Sequence, residues 1–201
     1  MPEIAAWAWS HQSHQIEPAE LAAMDVPEAT RSVLREHGIP HMVTLPEWLG
    51  PDLFTSEAFD RHIATVAAVA PMVIDPVLAN SYVVGAVREG SGPQGLYALF
   101  VLRRGTGELV VIETEPVRVV PVNATFEQFL KSLAPMVEAW RKLGGLDEEL
   151  EGTEHDPLPA LAAALHDELV AIDPTAGVKG SFWRGWLEQQ FEWEPASGDG
   201  D

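Results

Sequence analysis

The pattern of apolar and polar positions begins with helical segments. The chain predicts a short helix from Pro27 to His37, because a proline suits the first turn and Gly38 lies just past the end. A second helix is predicted from about Ser56 to Val69, where apolar residues recur at helical spacing and Pro71 then stops them. Residues 1–25 show no clear period, so their structure stays open.

The pattern then changes to apolar runs of strand length separated by turn residues. The predicted strands are Tyr82–Val84, Leu96–Leu102, Glu108–Glu113 and Val117–Val122. The run Leu96–Leu102 is continuously apolar, which predicts a buried central strand. Pro121 has no N–H to donate, so the last strand is expected near a sheet edge or at its own end. Together these runs predict an antiparallel meander over about residues 81–122.

Helical spacing returns after the meander. Thr125 and Gln128 match a capping box, which predicts a helix that ends at Gly144-Gly145. Asp156 as N-cap begins a further helix, which Asp173-Pro174 breaks. The predicted core stripe of that helix is Leu158, Leu161, Leu165 and Leu169, and a last short helix is predicted over Phe182–Phe191.

The order of helices, strands and helices predicts an α+β fold, with an antiparallel-rich central sheet flanked by N-terminal and C-terminal helices. The 201 residues, 46% of them hydrophobic, suffice for one large domain, which we assign to residues 1–191. Residues 192–201 are acidic and rich in Gly, Pro and Ser, so we expect a disordered tail.

Charge and the absence of cysteine narrow the class of protein. The net charge of −19 disfavours nucleic acid and anionic membranes as partners and favours a basic protein. Without cysteine, disulfides, thiolate zinc sites and cysteine nucleophiles are excluded. No basic segment precedes an apolar stretch at the start, and no apolar run reaches membrane length, so we expect a cytoplasmic protein.

A search for catalytic or metal-binding patterns finds little. His37 and His41 have the spacing of a zinc helix, but Gly38 and Pro40 lie between them and prevent a helix. His11 and His14 have no acidic partner at a recognised spacing. Phosphate-binding loops, dinucleotide fingerprints and nucleophile elbows are missing from the sequence. We therefore predict a protein that is not an enzyme and needs no metal or cofactor.

The candidate partner-binding residues come from one acidic run and one tryptophan. The acids of the run are Asp147, Glu148, Glu149, Glu151, Glu154 and Asp156. Trp48 lies in a segment with weak periodicity and is a candidate interface anchor if it is exposed. The alternative interpretation of such an acidic run is a solvated face. We assign Trp140, Trp183 and Trp186 to core packing instead.

Four segments resemble the SUKH superfamily. The run Val122–Leu130 resembles its strand-to-helix junction. Three further segments are similar to its fourth immunity subgroup: Leu34–Pro40, Leu96–Leu102 with the Gly105 turn, and Ile172-Asp173-Pro174 followed by Phe182-Trp183. The resemblance spans about residues 27–191 in the same order.

This resemblance implies an α+β immunity protein that binds and neutralises a cognate toxin domain, often a nuclease or a nucleic-acid deaminase. It implies no catalytic residues. We expect a basic toxin domain as the partner, and a monomer or weak homodimer. Two alternatives stay open from the residues: an adaptor that binds a partner unrelated to toxins, and a small hydrolase with an unrecognised site.

Overall fold

The computed structural model describes residues 13–40, 42–43, 54–55, 63–73, 75–88, 96–114, 116–146, 158–191 and 193. Its strands are β1 Ser13–His14, β2 Ile39–Pro40, β3 Met42–Val43, β4 Phe54–Thr55, β5 Tyr82–Arg88, β6 Leu96–Leu102, β7 Leu109–Thr114 and β8 Val117–Asn123. Its helices are α1 Pro18–Ala23, α2 Glu28–His37, α3 Val66–Val69, α4 Pro76–Ala79, α5 Phe126–Leu146, α6 Leu158–Ile172 and α7 Phe182–Gln190, with a 3₁₀ turn at Pro174–Gly177.

Six strands form one antiparallel sheet in the order β3-β4-β5-β6-β7-β8, and β1 pairs separately with β2. The predicted meander is confirmed as β5 to β8. Strand β6 has a neighbour on each side and its side chains Leu99 to Leu102 are fully buried, as its continuous apolar run predicts. Strand β8 is the last strand in the order, so the edge position inferred from Pro121 is also confirmed.

The two faces of this sheet carry separate hydrophobic clusters, because successive side chains of a strand point to opposite faces. On one face, Phe100 packs in a cluster with Phe129 of α5 and Trp183 of α7. On the other face, Leu99 and Ile112 cluster with residues of α3 and α4. The sheet therefore lies between the C-terminal helices and a smaller helical layer, and the α+β fold is confirmed.

The β6–β7 turn contacts the segment between α1 and α2. The Gly105 N–H donates to the Asp25 carbonyl at 2.7 Å, and Arg104 Nε donates to the Asp25 carboxylate at 3.0 Å. Gly107 has φ +72°, and a Cβ there would lie 2.6 Å from Thr30 Oγ1. Position 107 therefore requires glycine both for its backbone conformation and for this close approach.

Three expectations need correction. The helix predicted over residues 56–69 begins only at Val66 in the described part, because Thr65 forms a β-bridge with Tyr82. The helix predicted to end at Gly144-Gly145 continues to Leu146. Trp193 falls in the segment expected to be a disordered tail, yet its side chain is buried, with its ring centre 4.7 Å from that of His166.

Candidate functional site

The residues predicted to bind a partner lie outside the described residues. This holds for Trp48 and for the six acids between Asp147 and Asp156. The described chain reaches Leu146, where α5 ends, and resumes at Leu158, where α6 begins. The acidic run therefore immediately precedes α6 in the sequence, and negative charge near a helix N-terminus is favourable. Its role in binding stays a prediction.

Basic residues are concentrated in the described ranges, which hold every Lys and Arg except Arg61. The same ranges hold fewer than half of the 31 acidic residues. Ion pairs within them join Arg31 and Arg35 to Glu28, Arg103 to Glu108, Arg104 to Asp25, Arg118 to Glu113, Lys131 to Glu127 and Arg184 to Glu188. Most of the net charge of −19 is therefore carried by the remaining segments of the sequence.

The pair between Arg104 and Asp25 shifts the pKa of its basic member. The hydrogen bond to Asp25 raises the pKa of the Arg104 guanidinium above its usual value, and the charges of Tyr82 and Asp25 add to this. Arg104 is protonated at physiological pH as any arginine is, and exposed pairs of this kind contribute little to stability.

A buried polar network joins the end of β8 to the C-terminal helices. Asn123 Nδ2 donates to Asp173 Oδ2 at 3.0 Å, and Trp183 Nε1 donates to Asn123 Oδ1 at 2.9 Å. The backbone N–H of Ala124 donates to the same Asp173 oxygen at 2.7 Å. The N–H of Thr175 donates to the other oxygen, Oδ1, at 2.9 Å. One carboxylate therefore holds the β8–α5 junction and the turn after α6 together.

The start of α5 is fixed by a cap that differs in part from the predicted one. Thr125 Oγ1 accepts from the Gln128 backbone N–H at 3.2 Å, which confirms the cap. The Gln128 side chain was expected to satisfy a backbone N–H of the same helix end. Instead, it accepts from the Thr125 hydroxyl at 3.0 Å and donates to the Ile172 carbonyl at 3.3 Å. The cap therefore also ties α5 to the end of α6.

This network is structural rather than catalytic in character. Asn123, Asp173 and Trp183 are at most 1% exposed, so a substrate cannot reach their polar atoms. The assignment of Trp183 to core packing is confirmed, and Trp186 packs partly buried with its ring centre 5.8 Å from that of Phe191. Within the described ranges, no three acidic or histidine side chains are grouped so that they could hold a metal ion.

Two valines on β8 are exposed, although the sequence pattern does not mark them as binding residues. Val117 is 50% exposed and Val119 is 42% exposed, on the strand that forms the sheet edge. The sequence signal that points to them is Pro121, which predicts that this strand lies near an edge. An edge strand with exposed apolar side chains is a candidate for pairing with another chain.

The network residues Asn123, Asp173 and Trp183 belong to the segments that carry the SUKH resemblance, so these distant motifs meet in space. The model of the family described as SUKH-4 immunity protein matches residues 2–189. The chain belongs to the SUKH-4 immunity protein family. Membership of this family indicates an immunity role. No curated protein and no solved structure matches the SUKH-4 chain significantly. Among its described helices, none is long and apolar enough to cross a membrane.

Proposed function

We propose that this SUKH-4 protein binds and neutralises a cognate toxin domain that acts on nucleic acid, either a nuclease or a deaminase. It acts by contact and not by a reaction of its own. The observation that carries this proposal, beside family membership, is the net charge of −19. A domain that attacks nucleic acid needs basic side chains for its substrate, and an acidic protein competes for the same side chains.

The distribution of charge supports electrostatic attraction by particular segments. The Lys and Arg side chains paired within the described ranges offset the acids there. The run from Asp147 to Asp156 contains six acids and no Lys or Arg. We propose that this run, with Trp48 as an apolar anchor, contacts the toxin. Complementary charge of this kind mainly raises the association rate, by up to about 10³-fold.

The test of function is rescue of growth from a polymorphic toxin domain encoded beside the gene, together with binding of the two purified proteins. We expect rescue, and a 1:1 complex that weakens as salt rises. If the protein neither rescues nor binds, the immunity proposal is wrong for that toxin. Capture of a partner unrelated to toxins would instead favour an adaptor.

The acidic run is tested by charge neutralisation with a matched control. One variant changes Asp147, Glu148, Glu149 and Glu151 to the corresponding amides. The control makes the same change, one Asp and three Glu, at exposed acids of the described surface: Glu17, Glu36, Asp167 and Glu168. Both variants change the net charge by the same amount, so any difference between their association rates is due to the positions of the changed residues.

We expect the first variant to associate with the toxin about tenfold more slowly at low salt, and the control to slow much less. The difference should shrink at high salt, because screening then removes the attraction. Equal slowing of both variants would mean that the attraction is spread over the whole surface. In that case the run would have no special role.

A further inference from the structure

Among the strands that the structure describes, β8 has a neighbour on one side only, and its other side presents a defined set of backbone groups. The Arg103 N–H donates to the Glu108 carbonyl at 2.8 Å, which fixes residue 108 as a position that bonds toward β6. Hydrogen-bonding direction alternates along an antiparallel strand, so residues 110 and 112 also bond toward β6 and residues 111 and 113 bond toward β8. Since Val120 pairs with residue 111 and Arg118 with residue 113, these two β8 residues bond inward.

The intervening residues of β8 therefore direct their backbone groups away from the sheet. Val117 and Val119 each present an N–H and a carbonyl on that side. Pro121, which has no N–H, occupies the same outward set, as expected for proline in an edge strand. The register of the sheet and the position of the proline lead independently to the same assignment.

Edge strands in native proteins are usually protected against further pairing. Within the described residues, the protecting features of β8 lie in its C-terminal half, where Pro121 lies and where the pairing with β7 shifts register between residues 109 and 110. At the N-terminal half, the exposed side chains of Val117 and Val119 extend the face on which Ile112 is buried. Arg118 points to the opposite face, where it pairs with Glu113 through two 2.8 Å hydrogen bonds.

A basic partner protein matches this edge better than a second copy of the chain does. Two copies, each with a net charge of −19, repel one another. The open stretch is also only about three residues long, too short alone for the roughly 1,200 Å² that a stable interface needs. A short strand from a basic protein is attracted instead, and the further contacts that it needs can lie on the acidic segments of the sequence, where a second copy is repelled.

We propose that an extended, cationic segment of the toxin domain adds to the sheet as a strand beside β8. Its backbone bonds to Val117 and Val119, and its apolar side chains cover theirs. The inference rests on the proposed function, since it assigns a contact surface to the same complex.

Amide hydrogen exchange tests the pairing directly. It is measured on the free protein and on its complex with the toxin domain encoded beside its gene. The amides of Val117 and Val119 should exchange at least about tenfold more slowly in the complex. The amides of Arg118 and Val120 already bond to β7 and should change little. A partner that only contacts the surface near β8, without pairing, would not slow the amides of alternate residues in this way.

Two variants test the contribution to affinity. Val119→Pro removes an outward N–H but no bond to β7, and should raise Kd about tenfold. Val119→Lys adds a cation to the edge and should weaken binding similarly. The control is Val178→Lys, which makes the same charge change at a valine that is 54% exposed on the turn before α7. If a thermal melt shows that Val119→Pro is misfolded, the Kd of Val119→Lys alone is used to test the edge contact.

The outcomes separate the two proposals. If the wild type binds the toxin but amide exchange at residues 117 and 119 does not slow, or the Val119 variants bind as well as Val178→Lys, the edge inference is wrong and the immunity proposal stands. If the wild type neither binds nor rescues, both fail. If sedimentation shows a homodimer that Val119→Lys dissociates, the edge pairs with a second copy and the toxin strand is refuted.

Discussion

Replacement of Asp173 by alanine should destabilise the fold strongly. The carboxylate accepts from Asn123 Nδ2, from the Ala124 N–H and from the Thr175 N–H, at 2.7 to 3.0 Å. The Asn123 donor is fully buried, and a buried donor without an acceptor costs about 1–3 kcal/mol. The two backbone donors lie nearer to solvent and regain water, so each adds less.

The sum is about 3 kcal/mol, which is a large part of the roughly 5–15 kcal/mol by which domains are stable. For a chain of this length, that corresponds to a decrease in Tm of about 6–12 °C. The measurement is thermal and urea unfolding followed by circular dichroism. Asp173→Asn keeps one acceptor oxygen and should fall between the wild type and Asp173→Ala.

Asp167→Ala is the matched control, because its side chain is 87% exposed on α6. It should change the free energy of unfolding by less than about 0.5 kcal/mol. If Asp173→Ala lowered the Tm no more than Asp167→Ala does, the network would not hold the C-terminal helices to the sheet. The structural interpretation of the SUKH-4 motifs would then be wrong.

Two other substitutions test neighbouring parts of the fold by urea unfolding. Gly107→Ala should lower the free energy of unfolding by about 2–3 kcal/mol, because residue 107 has φ +72° and its new Cβ would lie 2.6 Å from Thr30 Oγ1. Gly105→Ala should lower it by only about 1–2 kcal/mol, because open space surrounds the new Cβ there. Equal costs would refute the close approach of the turn to α2. Trp183→Phe should cost about 2–3 kcal/mol, since it leaves the buried Asn123 Oδ1 without its donor; a loss below about 0.5 kcal/mol would show that this bond is dispensable.

The central part of the fold could be predicted because its signals are local. The apolar run Leu96–Leu102 has the length of a strand, and Gly105 to Gly107 mark the turn that reverses the chain. Thr125 begins α5 with a side-chain bond three residues along the chain. Such features depend on neighbouring residues only, so the sequence predicts them directly.

The errors arose where distant residues decide the structure. Thr65 lies inside the span predicted as a helix, yet its pairing with Tyr82 places it in a β-bridge. The Gln128 side chain donates to the Ile172 carbonyl and does not accept from a backbone N–H at its own helix end, and Trp193 is buried although its neighbours are acidic and small. Local propensity does not reveal these partners, which lie far along the chain.

For the candidate site, the sequence predicts the charge but not the geometry of the surface. The negative charge and the acidic run can be read from composition alone. The edge character of β8 followed from Pro121. The outward direction of Val117 and Val119 required the register of three strands, which a hydrogen bond between Arg103 and Glu108 fixes at the far turn. Surface geometry is therefore set by pairing, which one strand's residues do not reveal.

The burial of the Asn123–Asp173–Trp183 network separates what defines the fold from what selects the partner. Because these groups are enclosed, substitutions at exposed positions such as Val117 and Val119 leave the network intact and should affect folding little. One scaffold can thus be redirected to a different toxin by changing its outer side chains while the internal bonds are kept. An immunity protein of this architecture is therefore suited to follow a toxin whose surface diversifies.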